Sequence, residues 1–214
     1  MSFHSSSQIG MNHLNRLTDL SASLYNLIFS LFWLGRENAY RQRILELMNI
    51  AGDESVLDVG CGTGTLTLMI ARRMNGEGST FGVDLSPRMI EIARKKVCNQ
   101  SKQLKFRVGS SLALPFDNET FDVVVTSLVY HQLFSWEEKI KTLSEIGRVL
   151  RPEGKYVAAE FARFTPGNLL ITHDSLIRRI PLFGPELLEE SGFYIKDKVE
   201  TVKGIAFTLA RKEV

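Results

Sequence analysis

Nine residues constrain this chain more than any others: Val56-Leu57-Asp58-Val59-Gly60-Cys61-Gly62-Thr63-Gly64. Apolar residues flank an acid, and glycines alternate immediately afterwards. Leu66, Met69, Ile70 and Met74 then recur on one helical face. The pattern predicts a buried strand, a tight turn and the first turn of a helix. Glycine leaves the backbone bare at such a turn, so a ligand can lie directly against it.

The same alternation continues along the chain. Strands are expected at 55–59, 80–84, 104–108, 121–126 and 155–161, with helices between them. Ser86 caps one helix, with Pro87 at its first position, where a missing N–H costs nothing. Ser135-Trp136-Glu137-Glu138 has the form of a capping box and opens another helix, running to about Leu150, where Arg151-Pro152-Glu153-Gly154 stops it. Strands alternating with helices pair in parallel and build a three-layer α/β sandwich. At the C-terminal end, Tyr194–Val199 and Ile205–Ala210 are separated by only a few residues. That is too short for a parallel crossover, so the pair is expected to be antiparallel. The expected sheet is therefore seven-stranded, mostly parallel and finished by an antiparallel strand.

Before the first strand the reading is helical, at about 15–34 and 38–48. Residues 1–40 are expected to form a helical cap or lid over a domain of residues 41–214. Leu24–Leu34 is nearly all apolar but shorter than the roughly 20 residues a spanning helix requires. It is expected to cap an apolar pocket or to rest transiently on a membrane surface. The net charge of +2 is too small and too scattered to argue for a nucleic-acid partner. Cys61 and Cys98 are too few for a metal site or a disulfide framework. No basic stretch leads into a small-residue cleavage site, so no secretory leader and a cytoplasmic location are expected.

Ligands of such sheets sit beyond the carboxyl ends of the strands. The spacing Gly60-x-Gly62-x-Gly64 does not satisfy G-x-G-x-x-G, because Thr65 and Leu66 follow, and no G-x-x-x-x-G-K-[ST] exists. Asp84 ends the second strand, where a carboxylate can accept hydrogen bonds from both hydroxyls of a ribose. Four segments then carry a resemblance. They are Asp58–Gly64, Phe81-Gly82-Val83-Asp84-Leu85-Ser86, Leu114-Pro115-Phe116-Asp117 running on to Phe121-Asp122, and Glu145 through Arg148-Val149-Leu150-Arg151-Pro152-Glu153-Gly154. In this order they resemble the motifs of class I S-adenosylmethionine-dependent methyltransferases, in particular the small-molecule branch containing ubiquinone/menaquinone-type C-methyltransferases. The similarity covers about Arg41 to Lys212.

The resemblance implies a Rossmann-like fold, S-adenosylmethionine as cofactor and S-adenosylhomocysteine as product. It implies that Gly60, Cys61, Gly62 and Gly64 take the methionine end, with Asp58 toward the amino group. Asp84 would take the ribose, and Leu85 would lie against adenine. Met89, Ser110, Ser111, Leu112 and Thr126 would complete the cofactor surface. Ser110 departs from the acid usual in relatives, which predicts a loss of about 1 kcal/mol in adenine recognition. Methyl transfer needs alignment in a dry site more than a dedicated catalytic group. The best catalytic candidates are His131 and the adjacent Tyr130, after the fourth strand, with packing as the alternative role for His131. Tyr25, Phe29 and Trp33 are expected either to line an apolar acceptor site or to pack in the core, and residues 162–184, with His173, to wall that site. The expected activity is methylation of a small apolar or amphipathic metabolite by a monomer or homodimer. A non-catalytic module binding S-adenosylmethionine or its product is the alternative.

Overall fold

A computed structural model describes residues 37–97, 103–133, 135–161, 185–195, 200–202 and 205–212. The first expected helix, Tyr25, Phe29 and Trp33, the 24–34 membrane reading and the 162–184 wall lie outside the described residues. The chain divides into compact units of residues 1–43 and 44–214. In the first unit the described segment begins helix α1, Glu37–Met48, with an Arg41–Glu37 ion pair at 2.8 Å.

The second unit is a sheet with helices packed on it. Its elements are β1 Ser55–Val59, α2 Thr65–Ala71, β2 Ser79–Asp84, α3 Pro87–Lys96, β3 Leu104–Val108, β4 Phe121–Ser127, α4 Trp136–Val149, β5 Leu150–Phe161, α5 Pro185–Glu190, β6 Phe193–Ile195, β7 Glu200–Val202 and β8 Ile205–Lys212. The order across the sheet is β3-β2-β1-β4-β5-β8-β6, with β7 also paired to β8. The pairs from β3 to β5 are parallel, and β8 runs antiparallel to β5. The sequence reading counts seven strands, whereas the sheet has eight segments. The difference lies at one edge: β6 pairs with 210–212 of β8 and β7 with 205–207, so the two fill one lateral position in succession. The expected antiparallel strand is β8, the last in the chain, and it sits between β5 and this divided edge.

Local chemistry explains most boundaries. Met89 N donates to Ser86 Oγ at 3.3 Å, with Pro87 at the first helical position. Ser135 and Glu138 form both halves of the capping box at the start of α4. One boundary is corrected. Arg151-Pro152-Glu153-Gly154 does not separate α4 from a later strand; β5 already begins at Leu150. Phe121 pairs with Leu150 and Val123 with Lys155, so the residues between them bulge out of register. Glu153, at φ 60°, turns the bulge. Arg151 Nη1 then reaches Asp122 at 2.6 Å, while Asp122 Oδ2 accepts Ser55 N–H, tying the starts of β1, β4 and β5 together.

The central strands are buried on both faces, as continuous apolar runs require. One core joins Leu57, Val59 and Val124 of the sheet to Leu143 and Ile146 of α4 and to Leu187 and Leu188 of α5. A second joins Leu104 and Phe106 of β3 to Ile90 and Ala93 of α3 and to Cys61. Both close around the carboxyl ends of β1, β2 and β4, where the glycine turn emerges. Among the described residues no helix is long and apolar enough to cross a membrane.

Candidate active site

The glycine turn is built almost entirely from backbone. Gly60, Gly62 and Gly64 stand at φ 71°, 52° and 74°, in the left-handed region that side chains disfavour. Gly60 N and Cys61 N both donate to Val83 O, at 2.8 and 3.0 Å, and so anchor the turn to β2. The glycines differ in what surrounds them. A Cβ on Gly60 would lie 2.5 Å from Val129 Cγ2, and one on Gly64 would lie 2.7 Å from Phe106. A Cβ on Gly62 would meet nothing within 4 Å. Gly60 is therefore bare because the protein crowds it, whereas Gly62 is bare toward open space. The Gly60 contact also brings the segment after β4 against the turn.

Two acids flank this turn. Asp58 is buried within β1, and its Oδ2 accepts Thr67 Oγ1–H at 2.6 Å, which joins the strand to α2. Asp84 ends β2. Its Oδ2 accepts Gly62 N–H at 2.8 Å and its Oδ1 accepts Ser86 N–H at 2.9 Å. Each of these oxygens has a second lone pair, so the carboxylate is oriented without being exhausted. Beside it Leu85 is 72% exposed, an apolar surface without an intramolecular reason to face water. Burial pushes the Cys61 thiol up, and the nearby Asp58 and Asp84 add to the effect, so this cysteine is a small filler rather than a nucleophile.

The loop after β3 closes the adjoining edge. Gly109 N donates to Asp84 O at 3.0 Å. Ser110 Oγ accepts Leu112 N–H at 3.1 Å, so part of its accepting capacity is spent inside the loop. The Ser111 hydroxyl bonds Thr142 of α4 at 3.2 Å. The Leu114–Asn118 stretch is clamped from behind. Glu145 Oε2 accepts Leu114 N–H at 2.7 Å, and Arg148 donates to the carbonyls of Leu114 and Phe116 at 3.0 and 2.8 Å. Arg148 and Glu145 also form a bidentate pair, at 2.8 and 2.9 Å, whose hydrogen bonds hold the Glu145 carboxyl below its usual range. The acid and arginine of the fourth sequence segment thus serve as supports for the third.

The side chains after β4 are arranged differently from the sequence reading. Tyr130, expected beside His131 as a catalytic group, is fully buried. Its Oη accepts from Tyr156 Oη at 3.2 Å, and Tyr156 Oη bonds Thr126 Oγ1 at 2.8 Å. Burial, above all, pushes the Tyr130 hydroxyl well above its ordinary range. Thr126, expected at the cofactor surface, is likewise fully buried in this hydroxyl chain. Alternation along β4 and the turn after it aim both groups into the core.

His131 is not buried in this way; its side chain keeps a 20% exposure. It sits in a single 3₁₀ turn, Tyr130–Gln132, reached through Leu128 at φ 59°. A leucine in that region costs about 1–2 kcal/mol, and the surrounding bonds hold it there. Leu128 N donates to Ala159 O at 2.8 Å. Glu160, which the sequence reading missed, is fully buried at the end of β5. Its Oε1 accepts the N–H groups of both Val129 and Tyr130, the latter at 2.8 Å. Its Oε2 lies 3.6 Å from His131 Nδ1. No local motif marks Glu160; its signal was an acid within the apolar run of residues 156–161.

These residues fit S-adenosylmethionine. Gly62 leaves open backbone, Asp84 holds an oriented carboxylate with lone pairs to spare, and Leu85 offers an apolar face. The comparisons agree. Residues 56–154 match the methyltransferase-domain family model. A demethylmenaquinone methyltransferase of Lactiplantibacillus plantarum is 30% identical over 179 residues, 81% of this chain and 73% of that protein. A ubiquinone/menaquinone biosynthesis C-methyltransferase of Citrifermentans bemidjiense is 30% identical over 203 residues, 90% and 85% of the two chains. Curated relatives of this kind are longer than the chain, which spans from 59% to 85% of them. A solved methyltransferase from Aquifex aeolicus shares the fold with a TM-score of 0.65 at 19% identity, over 80% of this chain and 88% of that one.

Fold, turn and relatives together make this chain a class I S-adenosylmethionine-dependent methyltransferase. Within that class it belongs to the ubiquinone/menaquinone-type branch, with S-adenosylmethionine as its cofactor and S-adenosylhomocysteine as its product.

Proposed function

We propose that this enzyme methylates a small, apolar or amphipathic ring compound bearing a hydroxyl group, of the reduced-quinone kind, with His131 as the proton acceptor. The observation that carries the proposal is the contact between Gly60 and Val129. Val129 lies against the turn that would hold the donor and His131 follows it two residues on, which supports the reading. The names of the relatives favour a quinone-type acceptor.

When bound, S-adenosylmethionine supplies an electrophilic methyl group. Gly60–Gly64 would take its methionine end, Asp84 the ribose and Leu85 the adenine. The remaining task of the protein is to prepare the acceptor. Histidine is the side chain whose ordinary titration lies nearest neutrality. An imidazole at His131 takes the proton of the acceptor hydroxyl, and the electron pair left on oxygen enriches the adjoining ring carbon. A dry pocket keeps that charge from being quenched by water.

The test uses methyl-labelled donor with a short-chain demethylmenaquinol and with a long-chain alkylamine, each product read by mass spectrometry. A label on the quinol ring carbon is expected. Labelling of the amine with an untouched quinol would overturn the ring assignment. Removing a general base costs about 10²–10⁴-fold, so His131→Ala is expected to lower kcat at least 100-fold with donor affinity unchanged. Retained turnover would remove His131 from the chemistry.

A further inference from the structure

Glu160 is a fully buried carboxylate that the activity as derived above does not use. Its two oxygens have separate surroundings. Oε1 is committed to two backbone donors, Val129 N–H and Tyr130 N–H. Oε2 faces the ring of His131, with Nδ1 at 3.6 Å. That spacing is an ion-pair distance, somewhat beyond hydrogen-bond length. Catalytic pairs of this sort are commonly long without substrate and tighten in the complex. The carboxylate cannot turn away, because rotation would leave the two buried N–H groups without their acceptor, at roughly 1–3 kcal/mol each.

We propose that Glu160 is a positioning residue for His131: its Oε2 selects the imidazole tautomer that carries hydrogen on Nδ1, leaving the lone pair of Nε2 to accept the acceptor's proton. The inference rests on the reading of His131 as the base. The reasoning is one of hydrogen-bond polarity. An ionised carboxylate only accepts, so it favours a neighbouring N–H over a neighbouring lone pair. A neutral imidazole has one of each, and fixing hydrogen on Nδ1 frees Nε2. The strained Leu128 and the Glu160 clamp serve the same end, since both hold the 3₁₀ turn that carries the ring.

Other titratable groups surround the pair. Glu160 comes from β5, and buried Lys139 faces it from α4, its ammonium lowered by burial and partly restored by the Glu160 charge. Tyr130, on the histidine's own turn, and Tyr156, on β5, also lie near; both hydroxyls are pushed up by burial and stay neutral at ordinary pH.

The informative variant is Glu160→Gln. The two backbone N–H groups still need an acceptor, so the amide oxygen takes the place of Oε1 and the NH2 replaces Oε2. That NH2 donates, and therefore reverses the tautomer it faces. Full-length protein labelled with ¹⁵N-histidine reports this directly. In the wild type the unprotonated nitrogen of His131 is expected to be Nε2. In Glu160→Gln it is expected to be Nδ1. With the quinol acceptor, kcat should fall at least tenfold. Donor affinity in calorimetry should stay within twofold.

The wild-type spectrum alone tests the proposal even if the variant folds poorly: hydrogen on Nε2 would overturn it. So would a Glu160→Gln enzyme with unchanged tautomer. If His131→Ala remains active while the tautomer switches as expected, the base assignment fails but the pairing of Glu160 with His131 stands.

Discussion

The two halves of this site hold their shape by different means. On the β1–β2 side the working surface is backbone: three left-handed glycines, N–H groups bonded to Val83 O and a carboxylate steadied by Gly62 N and Ser86 N. On the β4–β5 side it is a set of buried side chains, with Glu160 under two N–H groups and the hydroxyls of Thr126, Tyr156 and Tyr130 in series. A backbone cradle can accept the same donor whatever the acceptor is, because it offers only shape and N–H groups. A buried side-chain network fixes the aim of one ring and can change between enzymes without disturbing the cradle. The contrast separates a surface suited to the donor from one suited to the acceptor on physical grounds.

The largest test of this comparison is at the glycines. Gly60→Ala combines a left-handed alanine with overlap on Val129, which should cost about 3 kcal/mol and lower Tm by roughly 10 °C. Gly62→Ala carries similar conformational strain but meets no protein atom, so it should cost only about 1 kcal/mol in stability. Its effect should instead appear as an at least tenfold loss of donor affinity in calorimetry. If Gly62→Ala binds the donor normally, the open backbone is not the cradle. Next in size is Asp84→Ala, which should weaken donor binding at least tenfold, about 1.4 kcal/mol. Unchanged affinity would remove the ribose contact.

The smallest expected effects lie in the hydroxyl chain. Tyr130→Phe and Tyr156→Phe should each cost about 1 kcal/mol in denaturant unfolding while leaving donor affinity and kcat intact. A folded Tyr130→Phe enzyme without turnover would bring Tyr130 back into the chemistry. The same tyrosines give a pH signature. Their folded-state titration is raised by burial, so the unfolded chain loses these protons first, near pH 10. Their contribution to stability is complete below that pH and declines above it. Tyr156→Phe should make the decline shallower.

How far the site could be read in advance follows the same division. The glycine turn, Asp84 and the capping residues Ser86 and Ser135 were legible because each requirement is local: a positive φ, a helix start, an acid at a strand end. The Leu114–Asn118 loop was visible as a motif, but its reason, the Arg148–Glu145 clamp, joins residues about thirty positions apart. Glu160 was missed for that cause, as it meets Val129 and Tyr130 across a similar separation. The burial of Tyr130 and Thr126 was not legible, because sequence order says nothing about which way adjacent side chains point. At the sheet edge, the antiparallel partner of β5 was expected, but its position inside a divided edge was not.

Periodicity, glycine spacing and turn chemistry by themselves determined an α/β fold with a bare glycine turn and an acid at the neighbouring strand end, since these depend on backbone conformations that individual residues permit or forbid; the methyltransferase class came from the resemblance of four segments. Only the tertiary structure decided that His131 is paired with Glu160 while Tyr130 belongs to the core. The reason is that parallel β4 and β5 must be brought side by side before their carboxyl ends, and the groups beyond them, can meet.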